Sequence, residues 1–208
     1  MPVERRPDFS LFLDILQLLE RINAPYMVIG AFAATVYGIS RVTYDIDIIV
    51  ELSEEHINAL SESYPLPRYY ADPVMIRDSI EMGIMFNIID TERGEKADLV
   101  PLSGSLDYRP AFERRVRQLV EIPGAEPFEI WCARPEDVIH GKLLAWKEGR
   151  SRKHETDIFE MMIFHFLNEP EDSPLEEKID HIAKTLGEET NQFWQKIKSD
   201  AKKDSNKE

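Results

Sequence analysis

Two aspartates, Asp45 and Asp47, lie two residues apart in the stretch TYDIDIIV, which otherwise has the composition of a buried strand. Aspartate is a poor strand former, and burying an unpaired carboxylate is costly. Because side chains alternate along a strand, both acids project from one face, and Ile46, Ile48 and Val50 project from the other. Two such carboxylates repel each other unless a cation lies between them, and Mg²⁺ prefers oxygen ligands. The pattern predicts a magnesium site; the alternative is a strand that ends at the solvent surface.

Two further features favour the metal site. Asp98, in KADLVP, is an acid in another apolar strand, which we expect to return from a hairpin one strand away. Gly30, in VIGAFAATVYG, stands where a short strand gives way to a short helix. A glycine at such a turn lets backbone N–H groups approach a phosphate. The combination of Gly30, the paired acids and Asp98 is much rarer than a lone pair of acids.

The whole chain has the composition of an ordinary globular protein, with 208 residues, 43% hydrophobic and 31% charged. It has one cysteine, Cys132, no apolar run long enough for a membrane span, and no signal-like N-terminus, so we expect a cytoplasmic protein without membrane contact. The net charge of −14 argues against a dedicated nucleic-acid binder. It does not argue against metal-bridged binding of a nucleotide.

The pattern along the chain predicts a mixed α/β region followed by an all-helical one. We expect helices over about 8–22 and 109–117, and a helix capped by Asp72 and Pro73 that ends at Gly83. The predicted domains are an α/β core over 1–130, a helical subdomain over 131–200 and a disordered tail over 201–208.

The residues resemble those of the DNA-polymerase-β-type nucleotidyltransferases. In that superfamily a strand ends in Gly-Gly or Gly-Ser and the next strand carries Asp-x-Asp or Asp-x-Glu; here the pattern is IGA followed by DID. GISRVTYDIDIIV is similar to small prokaryotic members, including the toxin of AbiE-type abortive-infection systems, which often have an Arg-x-Thr before the acids, as Arg41 and Thr43 do here. RPEDVIHGKLLAWKEGRSRKHETDIFEM is similar to a downstream stretch in which a helical lysine precedes an Asp-containing segment.

The resemblance implies an α+β fold, a mixed β-sheet flanked by helices with a C-terminal helical subdomain. It implies transfer of a nucleoside monophosphate from a nucleoside triphosphate to an acceptor hydroxyl, with two Mg²⁺ ions and release of pyrophosphate. Asp45, Asp47 and Asp98 would be the catalytic and metal-binding residues, with Asp98 helping to deprotonate the acceptor. Contacts to the phosphates are expected from the residues Gly30, Ala31, Arg41, Thr43 and Lys142.

Several alternatives stay open at this stage. Arg41 and Thr43 either touch phosphate or brace the loop, and Lys142 either contacts phosphate or extends its ammonium to solvent. The acceptor is a protein, a tRNA or a small molecule, and a toxin-type enzyme would have an antitoxin protein as partner. Ala31 stands where relatives have Gly or Ser, and His154 stands where relatives often have an acid. These two departures keep a non-catalytic member that binds a nucleotide or a partner as the alternative function.

Overall fold

A computed structural model describes residues 10–40, 43, 45–121, 126–168 and 173–207. These residues form a mixed sheet and a set of helices, so the predicted α+β fold class is confirmed. The strands are β1 Tyr26–Ile29, β2 Asp45–Val50, β3 Tyr69–Tyr70, β4 Phe86–Asp90, β5 Glu95–Pro101, β6 Val116–Val120 and β7 Phe128–Cys132. The helices are α1 Ser10–Arg21, α2 Gly30–Thr35, α3 Glu54–Ser63, α4 Pro73–Met82, α5 Arg109–Glu113, α6 Pro135–Gly149, α7 Arg152–Asn168, α8 Leu175–Leu186 and α9 Glu188–Ser205.

The described strands form one seven-stranded sheet in the order β3-β4-β5-β2-β1-β7-β6. The pairs β2–β5 and β1–β7 are parallel, and the other neighbours are antiparallel. The central strand β2 is covered by its neighbours on both sides, and Ile46, Ile48 and Val50 are buried. The sheet therefore holds β2 rigidly, which fixes the direction of the side chains on its other face.

The helix ends follow the local sequence. Ser53 caps α3 by accepting a hydrogen bond from the backbone N–H of His56. Asp72 caps α4 by accepting hydrogen bonds from the N–H groups of Val74 and Met75, and Gly83 ends the helix in the left-handed conformation. The predicted boundaries of α4 are thus confirmed.

The described residues divide into two compact units. The first contains residues 10–32 and the described residues from 43 to 133, and so contains the whole sheet. The second contains residues 33–40 and the described residues from 134 onwards, and so contains α6 to α9. No helix among the described residues is both long enough and apolar enough to cross a membrane.

Two predicted elements differ in the structure. The helix expected over 109–117 ends at Glu113, because Val116 pairs with Cys132 as β6 begins, a non-local pairing that helix propensity does not include. The tail expected to be disordered from residue 201 is instead helical as far as Ser205, the last residue of α9. Ala201 is buried there because it lies on the same helix stripe as Trp194 and Ile197.

Candidate active site

Strand β2 places Asp45 and Asp47 on one face of the sheet. Both side chains are half-buried, and the residues that alternate with them are buried in the core. The alternation predicted from the sequence is therefore present. It directs the two carboxylates to the same side, where they neighbour the residues of the next strand.

The parallel strand β5 brings Asp98 to this same face. In the register of the sheet, Asp98 is the partner of Asp47 and Lys96 is the partner of Asp45. Since partners in register project to the same side of a sheet, these four residues form a two-by-two array. We call the array of Asp45, Asp47, Lys96 and Asp98 the carboxylate face; it contains three acids and one base.

Asp98 is held by donors on both of its carboxylate oxygens. The Nζ of Lys96 lies 2.9 Å from Oδ1 and 2.6 Å from Oδ2. Asn87, its register partner on β4, donates from Nδ2 to Oδ1. The hydrogen bond to Asp98 and the charges of Asp45 and Asp47 raise the pKa of the Lys96 ammonium, although partial burial opposes this. Lys96 is therefore charged at neutral pH.

Thr43 orients Asp45. Its Oγ1 donates to the carboxylate oxygen Oδ1 at 2.7 Å and lies 3.0 Å from the backbone oxygen of the same residue. Thr43 is buried and Asp45 is half-buried, so this bond is partly shielded from water. Thr43 thus holds one oxygen of Asp45, and its two predicted roles, contact with phosphate and bracing of the loop, stay predictions. Arg41, predicted beside it, lies outside the described residues.

Gly30 lies directly against Asp47. Strand β1 ends at Ile29, which is the register partner of Asp47, and Gly30 begins α2 with a φ of +67°. A Cβ added to Gly30 would lie 2.2 Å from Oδ2 of Asp47. Only glycine suits both the left-handed backbone and the close approach. Ala31, the next residue, is half-buried in the first turn of the six-residue helix α2.

Lys142 lies on α6, in the second unit, as one partner of a buried ion pair. Its Nζ is 2.6 Å from Oδ2 of Asp157 on α7, and the side chains are 6% and 1% exposed. Lys142 thus does not extend to solvent. Its predicted contact with phosphate stays a prediction, and Asp157 acquires a definite role as the counter-charge of Lys142.

Three residues on or near the face were not found from the sequence. Lys96 and Asn87 reach Asp98 from the same strand and from the neighbouring strand. Tyr108 is placed close enough to Asp47 that the carboxylate charge adds to burial in raising the pKa of its phenol. The spacing of Lys96, two residues before Asp98, was a usable signal; no motif indicated the other two.

The chemistry of the donors suits a hard divalent cation, since all three acids offer carboxylate oxygens. In the part of the chain that the structure describes, no three His, Cys, Asp or Glu side chains are grouped so that they could hold a metal ion. The ammonium of Lys96 is bound to both oxygens of Asp98 instead. The three acids therefore lie on one face of the sheet, but they are not grouped as a metal site and the ammonium of Lys96 shares that face with them.

No protein-family model matches the sequence, and no curated protein sequence matches it. Several solved structures are similar to this chain at low sequence identity. An antigenic nucleotidyltransferase-like protein from Paracoccidioides brasiliensis is 16% identical, with 85% of this chain and 87% of that chain covered and a TM-score of 0.46. The lincosamide antibiotic adenylyltransferase LnuA, bound to lincomycin, is 14% identical, with 76% and 98% covered and a TM-score of 0.39. The antibiotic-resistance factor ANT(2'')-Ia is 14% identical, with 93% and 90% covered and a TM-score of 0.39. Similarity at this level does not assign the chain to a family.

Proposed function

We propose that the chain is a Mg²⁺-dependent nucleotidyltransferase, which moves a nucleoside monophosphate from a nucleoside triphosphate to an acceptor hydroxyl. The observation that supports this most is the register of β2 and β5, which sets Asp47 beside Asp98 with Asp45 on the same face. A protein gains no stability from three neighbouring carboxylates, because they repel each other. Binding a cation and a polyphosphate is the use that fits their chemistry best.

Asp45, Asp47 and Asp98 are the residues that would hold Mg²⁺, in the proposal as two ions. Bound Mg²⁺ would neutralise the triphosphate and favour departure of pyrophosphate. In the reaction, the acceptor oxygen forms a bond to the α-phosphorus while the bond between that phosphorus and the β-phosphate oxygen breaks. The proton of the acceptor hydroxyl passes to Asp98, and pyrophosphate leaves with the electron pair of the broken bond.

The chain's own residues would position these groups. Thr43 fixes one oxygen of Asp45, and Asn87 fixes one oxygen of Asp98. The bare Cα of Gly30 leaves space for the carboxylate of Asp47. The backbone N–H groups of Gly30 and Ala31 would donate to phosphate oxygens, and the phosphate contacts expected of Arg41 and Lys142 stay predictions. Such fixed donors accelerate phosphoryl-type transfer because positioning and charge neutralisation make up most of its catalysis.

One observation favours a second candidate, a non-catalytic member of the same fold that binds a nucleotide or a partner protein. Lys96 neutralises Asp98 in the structure, as a permanent structural ion pair would. In a non-catalytic member, this pair would persist when nucleotide binds. The labelling experiment below separates the two functions, since the second predicts nucleotide binding without transfer.

The test is incubation with Mg²⁺, each nucleoside triphosphate labelled on its α-phosphate, and cell extract, followed by separation of protein, tRNA and small molecules. We expect label in one of these three fractions with the wild type, and none with the Asp45→Asn/Asp47→Asn variant. The matched control is Glu55→Gln/Glu62→Gln, which removes two exposed carboxylates from α3 and should label like the wild type. If the wild type binds the nucleotide but no fraction is labelled, the transferase function is contradicted and the non-catalytic function is favoured.

The resemblance to AbiE-type toxins extends the proposal to a toxin role with an antitoxin partner. In that case, expression of the wild type should arrest growth, while expression of the Asp45→Asn/Asp47→Asn variant should not. Normal growth at equal expression of the two chains would contradict the toxin role and leave the transferase activity unaffected.

A further inference from the structure

Lys96 is the one described base within the carboxylate face. It lies on β5 two residues before Asp98, beside Asp45 in register, and its Nζ contacts both oxygens of Asp98. The two side chains of this ion pair differ in how exposed and how firmly held they are. The Lys96 side chain is 47% exposed, whereas that of Asp98 is 9% exposed and also bound by Asn87. If this ion pair separates, the lysine is therefore the partner that moves.

We propose that Lys96 is the counter-cation of the carboxylate face until a divalent cation binds, and that the binding cation displaces its ammonium from Asp98. The inference rests on the proposed function for the identity of the incoming cation. On release, the ammonium remains on the face that receives the triphosphate. It can then pair with the anionic phosphates.

Distances and charge favour displacement of Lys96. Magnesium binds carboxylate oxygens at about 2.0–2.1 Å. The Nζ of Lys96 is 2.6 Å from one oxygen of Asp98 and 2.9 Å from the other. An ion bonded to Asp98 would thus lie within a few ångströms of a positive ammonium, where the repulsion is large. Moving the ammonium away from Asp98 relieves this repulsion, so binding of the ion favours displacement of Lys96.

The cost of releasing Lys96 is small. A lysine that is about half exposed recovers water on separation, and the incoming cation replaces it as the charge partner of the buried Asp98 carboxylate. A divalent cation interacts with Asp98 and with the acids of β2 at the same time. The exchange is therefore favourable when the cation is available, and the ammonium suppresses repulsion among the acids when it is not.

The experiment measures binding of Mn²⁺, a paramagnetic substitute for Mg²⁺, by electron paramagnetic resonance in the absence of nucleotide. Lys96→Met removes the competing cation, and we expect it to bind Mn²⁺ about tenfold more tightly than the wild type. Lys96→Arg keeps the charge and offers a two-pronged donor that suits a carboxylate better, so we expect weaker binding than the wild type. Lys184→Met, at an exposed lysine of α8, makes the same change in charge and should match the wild type.

The outcomes separate this inference from the proposed function. The order Lys96→Met, wild type, Lys96→Arg in falling Mn²⁺ affinity supports displacement. Equal affinity of wild type and Lys96→Met overturns it, even if the wild type transfers nucleotide. If the Mn²⁺ affinities follow this order but no chain binds a nucleotide, the displacement of Lys96 is supported and the proposed transferase function is overturned. If none of the chains binds Mn²⁺, both are overturned. If Lys96→Met fails to fold by circular dichroism, Lys96→Arg decides alone, and an affinity equal to the wild type contradicts the inference.

Discussion

Replacement of Gly30 by alanine tests whether the position of the Asp47 carboxylate determines function. Gly30 has a φ of +67°, where an alanine costs about 1 kcal/mol relative to glycine. The new Cβ would lie 2.2 Å from Oδ2 of Asp47, well inside ordinary contact distance. The carboxylate must therefore move by about 1 Å to reach van der Waals contact. Because it is the end of a side chain, this movement adds little to the loss of stability.

Gly94 provides a matched control for this substitution. It lies in the β4–β5 turn with a φ of +70°, and a Cβ added there would meet no atom within 4 Å. Gly94→Ala has the same backbone penalty and no clash. Both variants should unfold about 2–4 °C below the wild type, as expected for about 1 kcal/mol in a chain of this size.

The two alanine variants should differ in function. A displacement of about 1 Å in a reacting group can lower a rate by about 100-fold. We expect Gly30→Ala to lose Mn²⁺ affinity and about 100-fold of its transfer rate, and Gly94→Ala to keep both. The assays are Mn²⁺ titration, the labelling reaction and thermal unfolding. If Gly30→Ala binds and transfers like Gly94→Ala, the position of the Asp47 carboxylate does not determine function.

Two further predictions concern residues that support the face or the hairpin beside it. Thr43→Val removes the hydroxyl that holds Asp45 and should lower the free energy of unfolding in urea by about 1 kcal/mol. It should also weaken Mn²⁺ binding. Unchanged Mn²⁺ binding would show that this hydrogen bond does not position the carboxylate. Asp90, 1% exposed, has its pKa lowered below 3.8 because hydrogen bonds from Arg68 and from backbone N–H groups outweigh burial. Its contribution to stability is therefore complete above that pH and is lost as the pH falls, so the stability difference between wild type and Asp90→Asn should shrink in acid. A difference that stays constant from pH 7 to pH 3 would contradict this assignment.

The sequence predicted the parts of the site that depend on local pattern. The alternation in DIDIIV predicted the shared orientation of Asp45 and Asp47, and the hairpin of β4 and β5 predicted that Asp98 lies in a returning strand. Both follow from the two-residue period of a strand and from turn chemistry, which need no knowledge of distant residues.

What the sequence did not predict depends on register and packing. The contact of Asn87 with Asp98 can be predicted only if the register of β4 against β5 is known residue by residue. From the sequence, Lys96 looks like an ordinary solvent-exposed charge. The structure instead places its ammonium against Asp98. The polar C-terminal segment likewise predicted disorder, yet Ala201 continues the buried stripe of α9. The contact of Asn87 depends on strand pairing, whereas the signals for Lys96 and Ala201 were local spacings that the composition of their segments obscured.

The proposed function requires the carboxylate face to bind a nucleoside triphosphate through Mg²⁺. The most direct test is the affinity for each nucleoside triphosphate, with and without Mg²⁺, of the wild type, Asp45→Asn/Asp47→Asn and Glu55→Gln/Glu62→Gln. We expect Mg²⁺-dependent binding in the wild type and in the α3 control, and its loss in the Asp45→Asn/Asp47→Asn variant. The stability of that variant should be equal or higher because the carboxylate repulsion is gone. Unchanged affinity for the Mg²⁺-nucleotide complex in a folded Asp45→Asn/Asp47→Asn variant would contradict the proposed function.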